Sequence, residues 1–334
     1  MRWSDPALLL ATGLIAVAVS SLGTAWALRH ARRHGLIDMP DVRRSHRMAT
    51  PRGGGIGIVL ACLGCFVVMA VQDGGNSRWW LVAGGLTLVA GIGWLDDHRP
   101  LPALPRLAVH VLSALLVALA LHFGGAGELA CLAGFVLVLG LVNAWNFMDG
   151  INGLAASQAM LCGVAFALLP AFSAQMLGIA LVGACVGFLP FNFPRARLFL
   201  GDVGSTSLGY MVAVLISIGV SAGPARESLL LLLPPLAMLA DSGLTLVWRM
   251  RRGDRWWQAH AEHAFQRWSR SKGQTIVTLA YGLWTTIVIG VMLLSRGHTG
   301  MTAFIAFLCC LTATALVWWW LHRKYASQSE GFGS

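Results

Sequence analysis

The stretch GFVLVLGLVNAWNFMDGINGLAASQAMLCGVAFALL, residues 134–169, decides the fold. Two apolar runs flank a ten-residue joint, Asn143 to Asn152, that carries three asparagines and one aspartate. Apolar runs of roughly 17 to 25 residues are what a hydrocarbon core about 30 Å thick requires. Working outward, the same unit recurs from end to end, at residues 6–28, 54–71, 79–95, 104–122, 128–143, 154–172, 174–190, 205–220, 228–248, 276–294 and 300–321. The 334 residues are 57% hydrophobic and only 11% charged, with a mean hydropathy of +0.69. Those values exclude an ordinary soluble domain. The sequence therefore predicts an all-α polytopic membrane protein of about eleven transmembrane helices, forming one integral-membrane domain over residues 1–334.

The first run is longer than the apolar core of a secretory signal and no small-residue cleavage site follows it, so it reads as a retained helix. The seven cysteines all fall inside apolar runs, which makes even the Cys62-x-x-Cys65 pair packing rather than redox or metal chemistry. Charge sets the expected orientation. If the helices alternate, segments 29–53, 96–106, 144–153, 191–204, 249–275 and the tail after 321 share one face and hold 20 of the 24 Lys and Arg residues. By the positive-inside rule that face is cytoplasmic, the amino terminus outside and the carboxyl terminus inside. The formal net charge of +10 then points to anionic membrane lipids and an anionic substrate, not to nucleic acid.

Every dense polar cluster belongs to that predicted cytoplasmic set. A transporter would place polar groups near the bilayer midplane on repeated, broken helices. No repeat is evident here, so the pattern favours chemistry at the interface. Asp96 and Asp97 end an apolar helix, where adjacent carboxylates repel and the helix dipole disfavours negative charge. A pair of carboxylates is a usual way to hold Mg2+; a membrane-exit turn paired with Arg99 or Arg106 is the alternative. In FLGDVGSTSLG, residues 199–209, Asp202 sits between glycines before an apolar helix expected to begin near Ser205, an arrangement suited to an anion and its metal. Arg52 and the three glycines after it have the same logic for a phosphate, with close helix packing as the alternative.

Asn143, Asn146, Asp149 and Asn152 recur every three residues, with Gly150 and Gly153 marking a helix end and turn. Amides can coordinate a hard cation and hydrogen-bond a base or sugar without adding charge. In RRGDRWWQAHAEHAFQRW, residues 251–268, His260, His263, Gln266 and Arg267 are expected on one side of a short amphipathic helix. Trp256, Trp257, Phe265 and Trp268 suit the membrane interface. A two-His zinc site lacks a third ligand. Asp241 lies within an apolar run and is a functional candidate by position alone; the sequence assigns it no chemical step.

Jointly and in this order, the DD pair after a span, NFMDGINGLA, FLGDVGS and the His-x-x-His loop resemble the polyprenyl-phosphate N-acetylhexosamine-1-phosphate transferases. These are membrane enzymes that include the phospho-MurNAc-pentapeptide translocase and the initiators of O-antigen synthesis. The resemblance runs from Asp38 to Arg267. It implies transfer of a sugar-1-phosphate from a UDP-N-acetylhexosamine to polyprenyl (undecaprenyl) phosphate with Mg2+ or Mn2+, giving a lipid diphosphate-sugar and UMP. It implies catalytic roles for Asp96, Asp97 and Asp202, with Asp202 and Asn146 as metal ligands. Asp149, Asn152 and Phe199 match nucleotide-contacting positions, and His260, His263 and Arg267 match the sugar and pyrophosphate loop. The expected location is the bacterial inner (plasma) membrane, multi-pass, with the site facing the cytoplasm. The His-x-x-His-x-x-Gln-Arg spacing is more similar to initiators of O-antigen and related cell-surface polymers than to the translocase. A lipid or nucleotide-sugar transporter is the non-enzymatic alternative. The sequence leaves the sugar, the polymer pathway and the oligomeric state open, a homodimer included.

Overall fold

The computed structural model describes residues 6–39, 49–255 and 260–325; Trp256 and Trp257 lie outside them. The described residues form twelve α-helices, one 3-10 helix and a two-residue strand pair. In chain order these are α1 (Pro6–His34), β1 (Ile37–Asp38), β2 (Thr50–Pro51), α2 (Ile56–Gln72), α3 (Ser77–His98), α4 (Ala103–Phe123), α5 (Glu128–Met148) and α6 (Leu154–Ala167). There follow α7 (Phe172–Asn192), α8 (Asp202–Ala222), the 3-10 helix Ala225–Leu232, α9 (Leu236–Arg251), α10 (Ala264–Lys272), α11 (Gln274–Ser295) and α12 (Gly300–Lys324). The strands are antiparallel, with Ile37 opposite Pro51.

All eleven apolar runs fold as helix, but the expected number of spans needs correction. Eight helices are long and apolar enough to cross a membrane, or nine if the 3-10 helix and α9, bent by 72°, count as one. Pro234 and Pro235 fall in that bend, where proline removes hydrogen-bond donors and interrupts the helix. The two remaining runs, α2 and α6, have 17 and 14 residues. At about 1.5 Å per residue, α6 reaches only about 21 Å. It is short because it stops at Ala167, ahead of Pro170, where the apolar run continues to residue 172 outside the helix. Two further expectations shift. Helix α8 starts at Asp202 rather than Ser205, and α10 starts at Ala264, so His260 and His263 precede it instead of projecting from its side.

The chain is a multi-pass membrane protein built around α8, which is buried along most of its length and packed by α3, α5 and α6. Small residues permit these approaches, as expected where helices associate by close packing rather than by solvent exclusion. A Cβ on Gly55 would collide with the Cα of Gly204, and one on Gly93 with the main chain at Asp202. Away from water every backbone polar group needs an internal partner. Two helices that start inside the bundle, α8 and α10, meet that requirement with a carboxylate from another helix, and this builds the site.

Candidate active site

At the last turn of α3, Asp97 is 2% exposed. Its Oδ1 accepts from Asp202 N at 3.0 Å and its Oδ2 from Val203 N at 3.2 Å. The carboxylate therefore caps α8 from outside that helix, satisfying two of its orphan donors and complementing its dipole. Gly201, at φ 76°, supplies the turn that brings the chain there; a Cβ at this position would press on the Asp97 carboxylate. Arg52 braces the other side. Its Nη2 donates to Asp97 O, and its Nε lies 4.0 Å from Asp97 Oδ1.

Asp96 has a different task. Its Oδ1 accepts from Leu101 N at 2.6 Å, and its Oδ2 lies 3.1 Å from Arg106 Nη1. The same Arg106 nitrogen is 3.3 Å from Asp202 Oδ2. One cationic group thus sits between the carboxylates of Asp96 and Asp202, on α3 and α8. One helix over, Asn146 Nδ2 donates to Ser205 Oγ at 3.1 Å, which ties the last turns of α5 to the first turn of α8. Asp149 caps the end of α5. Burial, then the neighbouring charge of Asp97, pushes its carboxyl up to about 7.

These hard oxygen donors suit Mg2+, because two carboxylates already share a cation and an amide lies close by. Among the described residues no group of three or more His, Cys, Asp or Glu side chains is arranged to hold an ion. A donor set this sparse fits an ion that keeps several waters and binds substrate phosphates. Asp96, Asp202 and Asn146 are the residues that would hold it.

The glycine-rich stretch after Arg52 turns its first donors inward. Gly54 N donates to Phe199 O at 2.9 Å, Gly55 N to Leu200 O at 2.8 Å, and Phe199 N to Pro51 O at 2.8 Å. The polar joint is fastened likewise. Asn152 N donates to Gln274 Oε1 at 3.0 Å and its Nδ2 to Pro194 O at 3.2 Å, while Gly153 N donates to Asn192 Oδ1 at 2.7 Å. Asn143 Nδ2 donates to Leu139 O within α5.

The loop before α10 is held from within the membrane-spanning bundle. Asp241, on α9 and 2% exposed, accepts from Ala264 N at 2.9 Å and Phe265 N at 3.0 Å, the first amides of α10. Tyr281 Oη at 2.7 Å, Trp318 Nε1 at 3.2 Å and Thr245 Oγ1 at 3.2 Å complete its shell. His263 stacks with Phe147 of α5 at 6.3 Å and lies 4.8 Å from the His260 ring. Burial, with His263 and Arg249 nearby, lowers His260 to about 4. His263 is lowered too, mainly by burial and against the pull of Asp241. Both imidazoles are neutral at pH 7. Arg267 is buried, 3.7 Å from Glu262 and over the Trp248 ring; Glu262 also pairs with Arg249 at 2.8 Å.

The structure thus gathers Arg52, Asp96, Asp97, Asn146, Asp149 and Asp202 at one end of the bundle. It links His260 and His263 to them through Phe147. Asn152 and Arg267 face scaffold partners, and Phe199 joins the site through its main chain. Sequence reasoning missed Ser205, Asn192, Gln274 and the cap made by Asp241. For Asp241 the signal was an acid inside an apolar run, ahead of a loop rich in His and Arg.

Comparison with known proteins agrees with this geometry. The profile of glycosyl transferase family 4 matches residues 79–220, from α3 through most of α8. The decaprenyl-phosphate N-acetylglucosaminephosphotransferase of Mycolicibacterium smegmatis is 28% identical, over 91% of this chain and 87% of that protein. A phospho-N-acetylmuramoyl-pentapeptide-transferase of a Synechococcus strain is 33% identical, over 64% of this chain and 70% of its own. The probable undecaprenyl-phosphate N-acetylglucosaminyl 1-phosphate transferase of Bacillus subtilis is 28% identical over 57% of each chain. With acids, amides and imidazoles converging at one end of a multi-pass helical bundle, and with these relatives, the chain belongs to glycosyl transferase family 4.

Proposed function

We propose that this protein transfers N-acetylhexosamine-1-phosphate from a UDP-N-acetylhexosamine to polyprenyl phosphate, giving polyprenyl-diphosphate-N-acetylhexosamine and UMP. An oxygen of the lipid phosphate bonds to the β-phosphorus, and the bond from that phosphorus to the bridging oxygen breaks, its electron pair leaving with UMP. Such a transfer needs positioning and charge neutralisation more than covalent participation of the protein. The observation that carries the reading is that Arg106 bridges Asp96 and Asp202 at the start of α8 while Asn146 bonds Ser205 in the same first turn.

Asp97 fixes that start, so Asp96 is the member of the pair left to face substrate, orienting the acceptor phosphate through the ion. When bound by Asp96, Asp202 and Asn146, Mg2+ supplies positive charge to the diphosphate. Arg52 and Arg106 add cationic charge around the phosphates. Asp149, Asn152 and Phe199 border the nucleotide, while neutral His260 and His263, with Arg267 behind them, border the sugar and pyrophosphate. The relatives named for N-acetylglucosamine favour UDP-GlcNAc as donor. The His-x-x-His loop favours a peptide-free sugar over the muramoyl-pentapeptide substrate. Counted with all eleven apolar runs as crossings, the placement of 20 of 24 Lys and Arg residues favours a site on the cytoplasmic side of a bacterial inner membrane. The lipid-linked product would start a surface polysaccharide such as O-antigen.

Purified protein in nanodiscs, given UDP-GlcNAc radiolabelled in the sugar, polyprenyl phosphate and Mg2+, should move label into the organic phase with release of UMP. Uptake of label into sealed vesicles with no UMP would make the protein a transporter instead.

A further inference from the structure

At the end of the bundle that carries the site, α1 and α3 meet through a stack of rings separate from the transfer geometry. Trp26 and Trp94 stack at 6.2 Å. The His30 ring lies 5.0 Å from Trp26, 4.3 Å from His34 and 6.0 Å from His98. Arg29 and Arg33 join them, and with Trp26, His30 and His34 they line a cavity of about 330 Å3. Among the described residues no carboxylate pairs with Arg29 or Arg33. Two guanidinium groups without a carboxylate partner among the described residues, beside three imidazoles able to hydrogen-bond, call for an anion. A phosphate accepts from both kinds of donor.

The flank of α1 says which kind of phosphate. Ile15, Leu22 and Trp26 are 62%, 71% and 48% exposed, and their spacing puts them on the same face as Arg29 and Arg33. Along that face the surface passes from apolar to aromatic to cationic, the order of tail, interface and headgroup in a bilayer lipid. The stack is also turned away from the chemistry. On α3, Asp96 is two positions beyond Trp94, about 200° around the helix, so a phosphate at the stack does not reach Asp96.

We propose that Trp26, Arg29, His30, Arg33 and His34 of α1, with His98 of α3, seat the phosphate of an anionic membrane phospholipid whose chain lies along α1. The seat neutralises the cationic end of α1 and fastens it to α3. It does not rest on the transferase reading.

The test uses full-length protein in detergent, examined by native mass spectrometry with added phosphatidylglycerol or phosphatidylcholine. Phosphatidylglycerol should be retained and phosphatidylcholine lost. At about 1 kcal/mol per cation near a lipid surface, Arg29→Gln with Arg33→Gln should weaken retention about 30-fold. Arg323→Gln with Lys324→Gln, at the basic end of α12, should leave it unchanged. In unmutated protein, phosphatidylglycerol carrying a photoreactive tail should crosslink within residues 15–34, an arm that needs no variant to fold. Equal retention by the two paired variants, equal retention of phosphatidylcholine, or crosslinks elsewhere would overturn the proposal. Displacement of phosphatidylglycerol by equimolar polyprenyl phosphate would overturn the proposed occupant and give the seat to the acceptor. Each arm reads binding alone, so it stands or falls apart from UMP release.

Discussion

Replacing Asp97 by asparagine separates the two members of the acidic pair. The native carboxylate accepts from the first two amides of α8 at 3.0 and 3.2 Å and is buried. An amide of the same shape keeps one acceptor and turns an NH2 group towards the other N–H. That leaves a buried backbone donor unpaired, at a cost of about 1–3 kcal/mol. Loss of negative charge at the helix start adds up to about 2 kcal/mol. The expected destabilisation is about 3 kcal/mol, read as a change in unfolding free energy by denaturant titration in nanodiscs. Asp96 accepts only one backbone amide, beside a partly exposed Arg106. Asp96→Asn should therefore cost less than about 1.5 kcal/mol while removing transfer activity from protein that remains folded. Equal stability losses in the two variants, or an Asp97→Asn protein as stable as the parent, would refute the division of roles.

Asp202→Asn should leave the fold nearly intact and raise the Mg2+ concentration needed for half-maximal UMP release at least tenfold, on the order of 1.4 kcal/mol; an unchanged Mg2+ titration would remove Asp202 from the ion's ligands. Asp241→Asn should destabilise by roughly 3 kcal/mol, since one of two buried amides of α10 loses its acceptor, and hydrogen exchange at residues 264 and 265 should accelerate. Gly55→Ala drives a Cβ into the Gly204 main chain; an overpacking cost of about 1–3 kcal/mol should appear as a lower melting midpoint. His260 is lowered to about 4, so between pH 6.5 and 4 the folded state holds fewer protons than the unfolded state. Relative to His260→Gln, the parent should lose stability as pH falls through that window and run parallel above pH 7.

Much of this was legible in the sequence, for physical reasons. Apolar runs of membrane length, and polar clusters confined to the joints between them, marked the helices and the end at which chemistry gathers. The motif order carried the family. Length was less legible: α2 and α6 read as spans because hydropathy does not reveal where a helix stops, and α6 ends at Ala167 although the apolar run goes on. The pair Asp96 and Asp97 read as one unit. Only the packing of α3 against α8 shows one carboxylate facing a helix start and the other facing Arg106. Arg52 and its glycines read as a phosphate cradle, and the amides of Gly54 and Gly55 proved to be paired with the main chain of Phe199 and Leu200. Asp241 carried a positional signal, but apart from Thr245 its hydrogen-bond partners lie 23 to 77 residues away, beyond any local pattern.

In the proposed transfer, the phosphorus–oxygen bond of the diphosphate is the bond that breaks. Following 32P placed in the β-phosphate of UDP-GlcNAc tests it most directly. Label is expected in the organic phase as lipid diphosphate-sugar, with unlabelled UMP in water. Label left in the aqueous phase as UDP, with the sugar alone carried to lipid, would contradict it.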